Sequence, residues 1–105
     1  MNKQMLEYLE IMFDFWAEGI RRHEVNKVFD LRKMYSEWRK LIISVLEEGI
    51  KQGKFRSIDT TITASILIRC IDGIIIQWIL DKNLFSLNKA IEALADNTIK
   101  GIKVL

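Results

Sequence analysis

His23 is the one histidine of the chain and Cys70 its one cysteine, so a histidine-activated nucleophile or a histidine- or cysteine-bearing metal site would have to pass through them. A thiolate nucleophile needs a cationic or basic neighbour that lowers its proton affinity. Cys70 instead lies among Ile66, Leu67, Ile68 and Ile71, with Arg69 as its one nearby cation. His23 follows Arg21 and Arg22 at the expected C-terminus of a first helix, where positive charge complements the helix dipole and a solvated cap is expected. A carboxylate-bridged metal pair in a helical bundle requires two Glu-x-x-His pairs, yet Ile20 stands three residues before His23 and there is no second histidine. A single cysteine also leaves no internal disulfide framework and no cysteine-based zinc site. With no general base left, the expectation is a chain without catalysis, metal or cofactor.

What remains is binding. Met12, Phe13, Trp16, Met34, Tyr35, Trp38, Ile42, Leu67, Cys70, Ile71 and Ile74 can line a cavity between helices one, two and three. Large flexible and aromatic side chains make adaptable apolar pockets, with Tyr35, Arg69, Asp72 or Gln77 as polar anchors. The same stripe can equally be a filled core, which residues of this kind at helical spacing form more often than a pocket. Arg69 and Asp72 stand three apart on one helix, where an ion pair makes burial of both charges tolerable.

Positioning these side chains falls to helices. Proline is absent, the five glycines are scattered, and no run alternates apolar and polar residues over a strand's length. The fold class is therefore all-α, an antiparallel bundle of four to five helices. Over Lys3 to Arg22, Met5, Leu9, Met12, Phe13, Trp16 and Ile20 recur at three and four, opposite Glu7, Glu10, Asp14, Glu18 and Arg21. A second helical stretch runs from about Asn26 to Gln52, with a break expected near Asp30 to Lys33. Gly53 supplies a left-handed residue that ends it, and Phe55 can fold back on its last turn. Asp59 is placed to cap a third helix, Thr60 to Leu80, by accepting from the amides of Thr61 or Ile62. That helix is apolar almost all round, with Ser65, Arg69 and Asp72 as a polar strip, and is expected to be buried on most sides. Asn83 can close it. Ser86 can cap a fourth helix carrying Leu87, Ala90, Ile91, Leu94, Ala95, Thr98, Gly101 and Ile102 on one face.

A chain of 105 residues suits one domain, residues 1–105, that buries about two-thirds of its unfolded surface. Half of the residues are hydrophobic and 29% are charged, which fits neither a disordered tail nor a membrane protein. A mean hydropathy of +0.08 suggests that some apolar surface meets a partner. The net charge is +2 with both signs interspersed, so no nucleic-acid footprint is visible. No basic-then-apolar leader opens the chain, and Arg69, Asp72 and Gln77 interrupt its most apolar segment. Neither secretion nor membrane spanning is expected, and a reducing cytoplasm is the simplest setting for a lone thiol.

One ordered set of residues goes further: Trp38-Arg39, Glu48-Gly49, Gly53-Lys54-Phe55-Arg56, Asp59, Ala64 and Asp72-Gly73. From roughly Met5 to Ile102 the chain resembles the ligand-binding half of a bacterial TetR-type repressor. The resemblance implies an effector-binding and dimerisation domain whose helix-turn-helix DNA reader is expected upstream of this sequence. It also implies that the last two long helices pair with their twins, across Thr60 to Leu80 and Leu87 to Lys103. The small residues Ala64, Gly73, Ala90, Ala95 and Gly101 would let backbones approach there, and a four-helix chain has few other helices to surround helix three. The expected seam is Ile66, Gly73, Gln77, Leu80, Ala90, Ile91, Leu94, Thr98, Gly101 and Ile102. An effector between helices one, two and three would tilt helix one and change the spacing of two readers on DNA. That effector is expected to be apolar with one polar end. The alternative is a small helical interaction module that binds a helix of another protein and no small molecule.

Overall fold

The computed structural model describes residues 2–21 and 31–105, with the side chains of residues 5, 15, 16, 18–21 and 31 outside that description. Four helices account for most of it: α1 (Lys3–Arg21), α2 (Leu31–Lys51), α3 (Thr60–Leu80) and α4 (Leu87–Ile102). The chain is all-α, as its patterning requires. It divides into two compact units, Met1–Trp38 and Arg39–Leu105.

In the first unit, α1 turns Leu6, Leu9, Met12, Phe13 and Ala17 partly inward and keeps Glu7, Glu10 and Asp14 in solvent. This is the period of an amphipathic helix. The side chains of Met5, Trp16 and Ile20, and His23 as a whole, lie outside the described residues. Of the break expected near Asp30 to Lys33, Asp30 lies outside the described residues together with 22–29, and Leu31 to Lys33 are already helical at the start of α2.

The second unit begins on α2 and is built around Leu46, Ala64 and Ile102, one side chain from each of α2, α3 and α4. Ile42, Ile43, Phe55 and Ile58 pack against them. Two side-chain hydrogen bonds set the register of α2 and α3: Arg39 Nε donates to Ser65 Oγ at 3.0 Å, and Thr60 Oγ1 donates to Glu47 Oε1 at 2.7 Å. A residue early in α2 thus meets one farther along α3, and a late one meets its first turn, so the two helices run antiparallel.

The joint between α2 and α3 is made by local chemistry. Gly53 adopts a φ of 75°, the left-handed conformation that only glycine reaches without cost. The amides of Lys54 and Phe55 both donate to the Gly49 carbonyl, at 2.9 and 3.1 Å, satisfying the helix end. The Phe55 ring then lies on Gly49, where any Cβ would overlap it. Asp59 accepts from the Ile62 amide at 2.9 Å and starts α3. At its other end α3 is closed by Asp81, whose N–H donates to the Gln77 carbonyl. Asn83, the expected closing residue, instead donates its own amide to the Asp81 carboxylate at 3.1 Å. Ser86 accepts from the Lys89 amide at the start of α4.

The burial of α3 differs from expectation. Among its residues only Thr60, Ala64 and Ile68 are buried, a stripe at four-residue spacing that faces the core. Ile62 and Ile66 remain 58% and 57% exposed and Leu80 is 80% exposed. Within the second unit the stripe that includes Ala64 meets the core side chains of α2 and α4, while the face of Ile62, Ile66 and Leu80 stays in solvent. By length and composition alone α3 is apolar enough to cross a membrane, a property it shares with core and interface helices of soluble proteins.

Candidate functional site

Between α2, α3 and α4 lies a cavity of about 290 Å³, lined by Ile42, Val45, Leu46, Phe55, Leu67, Ile71, Ile91, Leu94, Ala95, Thr98, Ile99 and Ile102. Each helix contributes by turn spacing: Ile42, Val45 and Leu46 from α2, Leu67 and Ile71 from α3, and residues from Ile91 to Ile102 from α4. Eleven of the twelve side chains are hydrocarbon. The exception, Thr98, already donates its hydroxyl to the Leu94 carbonyl at 2.7 Å. The Thr98 oxygen keeps only acceptor capacity, so the side chains of the wall offer no free hydrogen-bond donor, and a lining of this chemistry favours an apolar guest. Its volume is roughly twice the ~150 Å³ of an apolar cavity that holds benzene. Val45, Ala95 and Ile99 are solvent-exposed and mark its mouth.

The expected pocket residues divide. Ile42, Leu67 and Ile71 line the cavity. Ile74 is half-buried on α3. Cys70 faces a shallower groove on α3 with Thr61, Ile62, Ser65, Ile66 and Arg69. In the first unit Met12, Phe13 and Met34 are half-buried and Tyr35 is buried. The Tyr35 and Trp38 rings meet edge to face, 5.4 Å apart at 84°, and Trp38 keeps 43% of its surface in solvent. Trp16 lies outside the described side chains.

Residues read as a dimer seam divide as well. Ile91, Leu94, Thr98 and Ile102 line the cavity; Ile66, Gln77, Leu80 and Gly101 are exposed, and Gly73 and Ala90 are half-buried. A Cβ added at Gly73 or at Gly101 would meet nothing within 4 Å. Ile62, Ile66, Arg69, Gly73, Gln77 and Leu80 recur at three and four along α3 and form one continuous face. Val45, Leu46, Phe55, Ala95 and Ile99 line this cavity and belong to neither the expected pocket set nor the expected seam. Phe55 had a signal in its position after two glycines, while the α4 residues repeat at a spacing that suits an interface as well as a cavity wall.

Arg69 and Asp72 form the expected pair at 3.4 Å, but Arg69 is half-exposed with Asp72 mostly covered, so the pair sits at the surface. A pair of this kind contributes ~0.2–1 kcal/mol. Lys82 Nζ stands 5.6 Å from the Trp78 ring at the end of α3. Among the described residues no three metal-ligating side chains cluster.

Four helices, a glycine-phenylalanine joint and an apolar cavity over α2, α3 and α4 define an all-α domain built to hold an apolar pocket. The family model for the C-terminal domain of BetI-type transcriptional repressors matches residues 4–102, and the chain belongs to that family. No curated protein and no solved structure matches it.

Proposed function

We propose that this chain is the effector-sensing and dimerisation domain of a TetR-type repressor, acting on DNA through an N-terminal helix-turn-helix headpiece and working in the cytoplasm without catalysis, metal or cofactor. The observation that carries this reading is the cavity between α2, α3 and α4. Its walls offer area and polarizability and no free side-chain hydrogen-bond donor, so affinity comes mainly from buried apolar surface at ~25 cal/mol per Å², less the cost of ordering the ligand. The effector is therefore a compact apolar molecule, a bicyclic aromatic or a medium alkyl chain, whose polar end stays at the mouth beside Val45 and Ile99. It acts by population shift: a ligand changes DNA binding only through its different affinities for two arrangements of the protein. The exposed face of α3 supports self-association, and a second copy is the partner proposed for it. That same face also favours a second reading, a module that receives a foreign helix.

Titration with 1-decanol and with naphthalene tests the effector assignment. A ligand at a hundred times its dissociation constant stabilises the fold by about 2.7 kcal/mol, which a melting curve resolves. If neither these compounds nor a wider panel of fatty acids, acyl esters and planar aromatics moves the melting temperature, the cavity is not an effector site.

A further inference from the structure

We infer that Phe55 sets the size of guest the cavity accepts, and that Gly49 makes this possible by leaving room for the ring. The inference rests on the reading of the cavity as the effector site. Phe55 is the one aromatic side chain in the wall and the one that comes from outside a helix. The other wall residues are held at helical turns, whereas the Phe55 ring owes its place to an absence: its Cδ2 and Cε2 occupy the space a Cβ on Gly49 would take.

The backbone around Phe55 is tied on both sides. Its amide donates to the Gly49 carbonyl at 3.1 Å and it bridges to Lys103 in antiparallel fashion, while Lys54 accepts from Val104 at 3.0 Å and Arg56 donates to Ile102 at 2.8 Å. The main chain cannot slide, so the ring is the part that responds, by changing rotamer. With glycine at 49 the ring withdraws onto α2. A methyl there expels the ring from that position, and the cavity it lines offers the open volume beside it. A smaller side chain at 55 leaves the wall short and enlarges the cavity.

The test is a series of straight-chain alcohols, from 1-hexanol to 1-tetradecanol, added to the full chain and read as the longest alcohol that raises the melting temperature. In Phe55→Leu, whose side chain is smaller by roughly the volume of one methylene, the cutoff moves up by at least about one methylene, because a close-packed wall gives the space it loses to the guest. In Gly49→Ala it moves down, and the double variant, in which the overlap is relieved, returns toward the parent. Should Gly49→Ala fail to fold, Phe55→Leu and Phe55→Ala decide by themselves. A parent protein stabilised by the alcohols, with the same cutoff in the Phe55 variants, overturns the role of Phe55 and leaves the cavity as effector site. A parent that responds to no alcohol removes both.

Discussion

Arg56 holds the last turn of α4 at two points: its amide donates to the Ile102 carbonyl at 2.8 Å, and its Nε donates to the Gly101 carbonyl at 3.2 Å. Helix C-termini leave carbonyls without intrahelical partners, and here a residue from the α2–α3 joint supplies the donors. Ile102 is also one of the three buried core side chains. The joint is thus bonded to the backbone of a residue whose side chain anchors the core.

Hydrogen exchange should reveal that bond directly. The amides of Arg56 and Val104 lie outside the helices, yet they donate to Ile102 and Lys54, and they are expected to exchange far more slowly than other non-helical amides such as that of Ser57. Arg56→Ala keeps its amide bond but loses the one from Nε, so the last turn of α4 should exchange faster. Unprotected amides at both positions in the parent would contradict the arrangement.

The ends of the joint should each carry a measurable share of stability. Gly53→Ala forces a side chain into the left-handed region and is expected to cost ~1–2 kcal/mol. Asp59→Ala removes the acceptor of the Ile62 amide and is expected to cost ~1 kcal/mol. Urea unfolding monitored by circular dichroism checks both; no change in midpoint for either variant would rule out the capping assignments.

Leu46 is 4% exposed at the centre of the second unit. Leu46→Ala should destabilise by ~2–5 kcal/mol, through lost burial and an enlarged void. The denaturation slope should stay constant while the midpoint falls.

Self-association is the prediction for the exposed face of α3. Light scattering is expected to give twice the 12.3 kDa of one chain. Gly73→Glu should return the monomer, since it forces a charge into the contact. The same change should not harm the single chain, where a Cβ at 73 meets nothing and glutamate favours helix over glycine. A monomeric parent at micromolar concentration would end this proposal.

Specific binding to duplex DNA by this chain alone is not expected. Its cations are interspersed with acids, as in the Asp96–Lys100 pair at 2.9 Å, and among the described residues no helix groups basic and amide side chains for a major groove. A salt-sensitive, sequence-selective mobility shift at nanomolar protein would refute this.

What the sequence by itself determined is what depends on neighbours within one turn. Gly53, Asp59 and Ser86 mark helix ends, because a left-handed glycine and a side-chain acceptor act on amides two to four residues away. The pairing of Arg69 with Asp72 and the return of Phe55 to the end of α2 are legible for the same reason. Only the tertiary structure decided which face of α3 is buried. Ser65, Arg69 and Asp72 exclude one narrow strip, but isoleucines occupy the rest of that helix, and the choice of Thr60, Ala64 and Ile68 came from the close approach of Leu46 and Ile102 around the smallest of them. The cavity was decided in the same way. Ile91, Leu94 and Thr98 have the spacing of an interface and of a pocket wall alike, and that they line a space shared with α2 follows from packing between residues some fifty positions apart, which local patterning does not record.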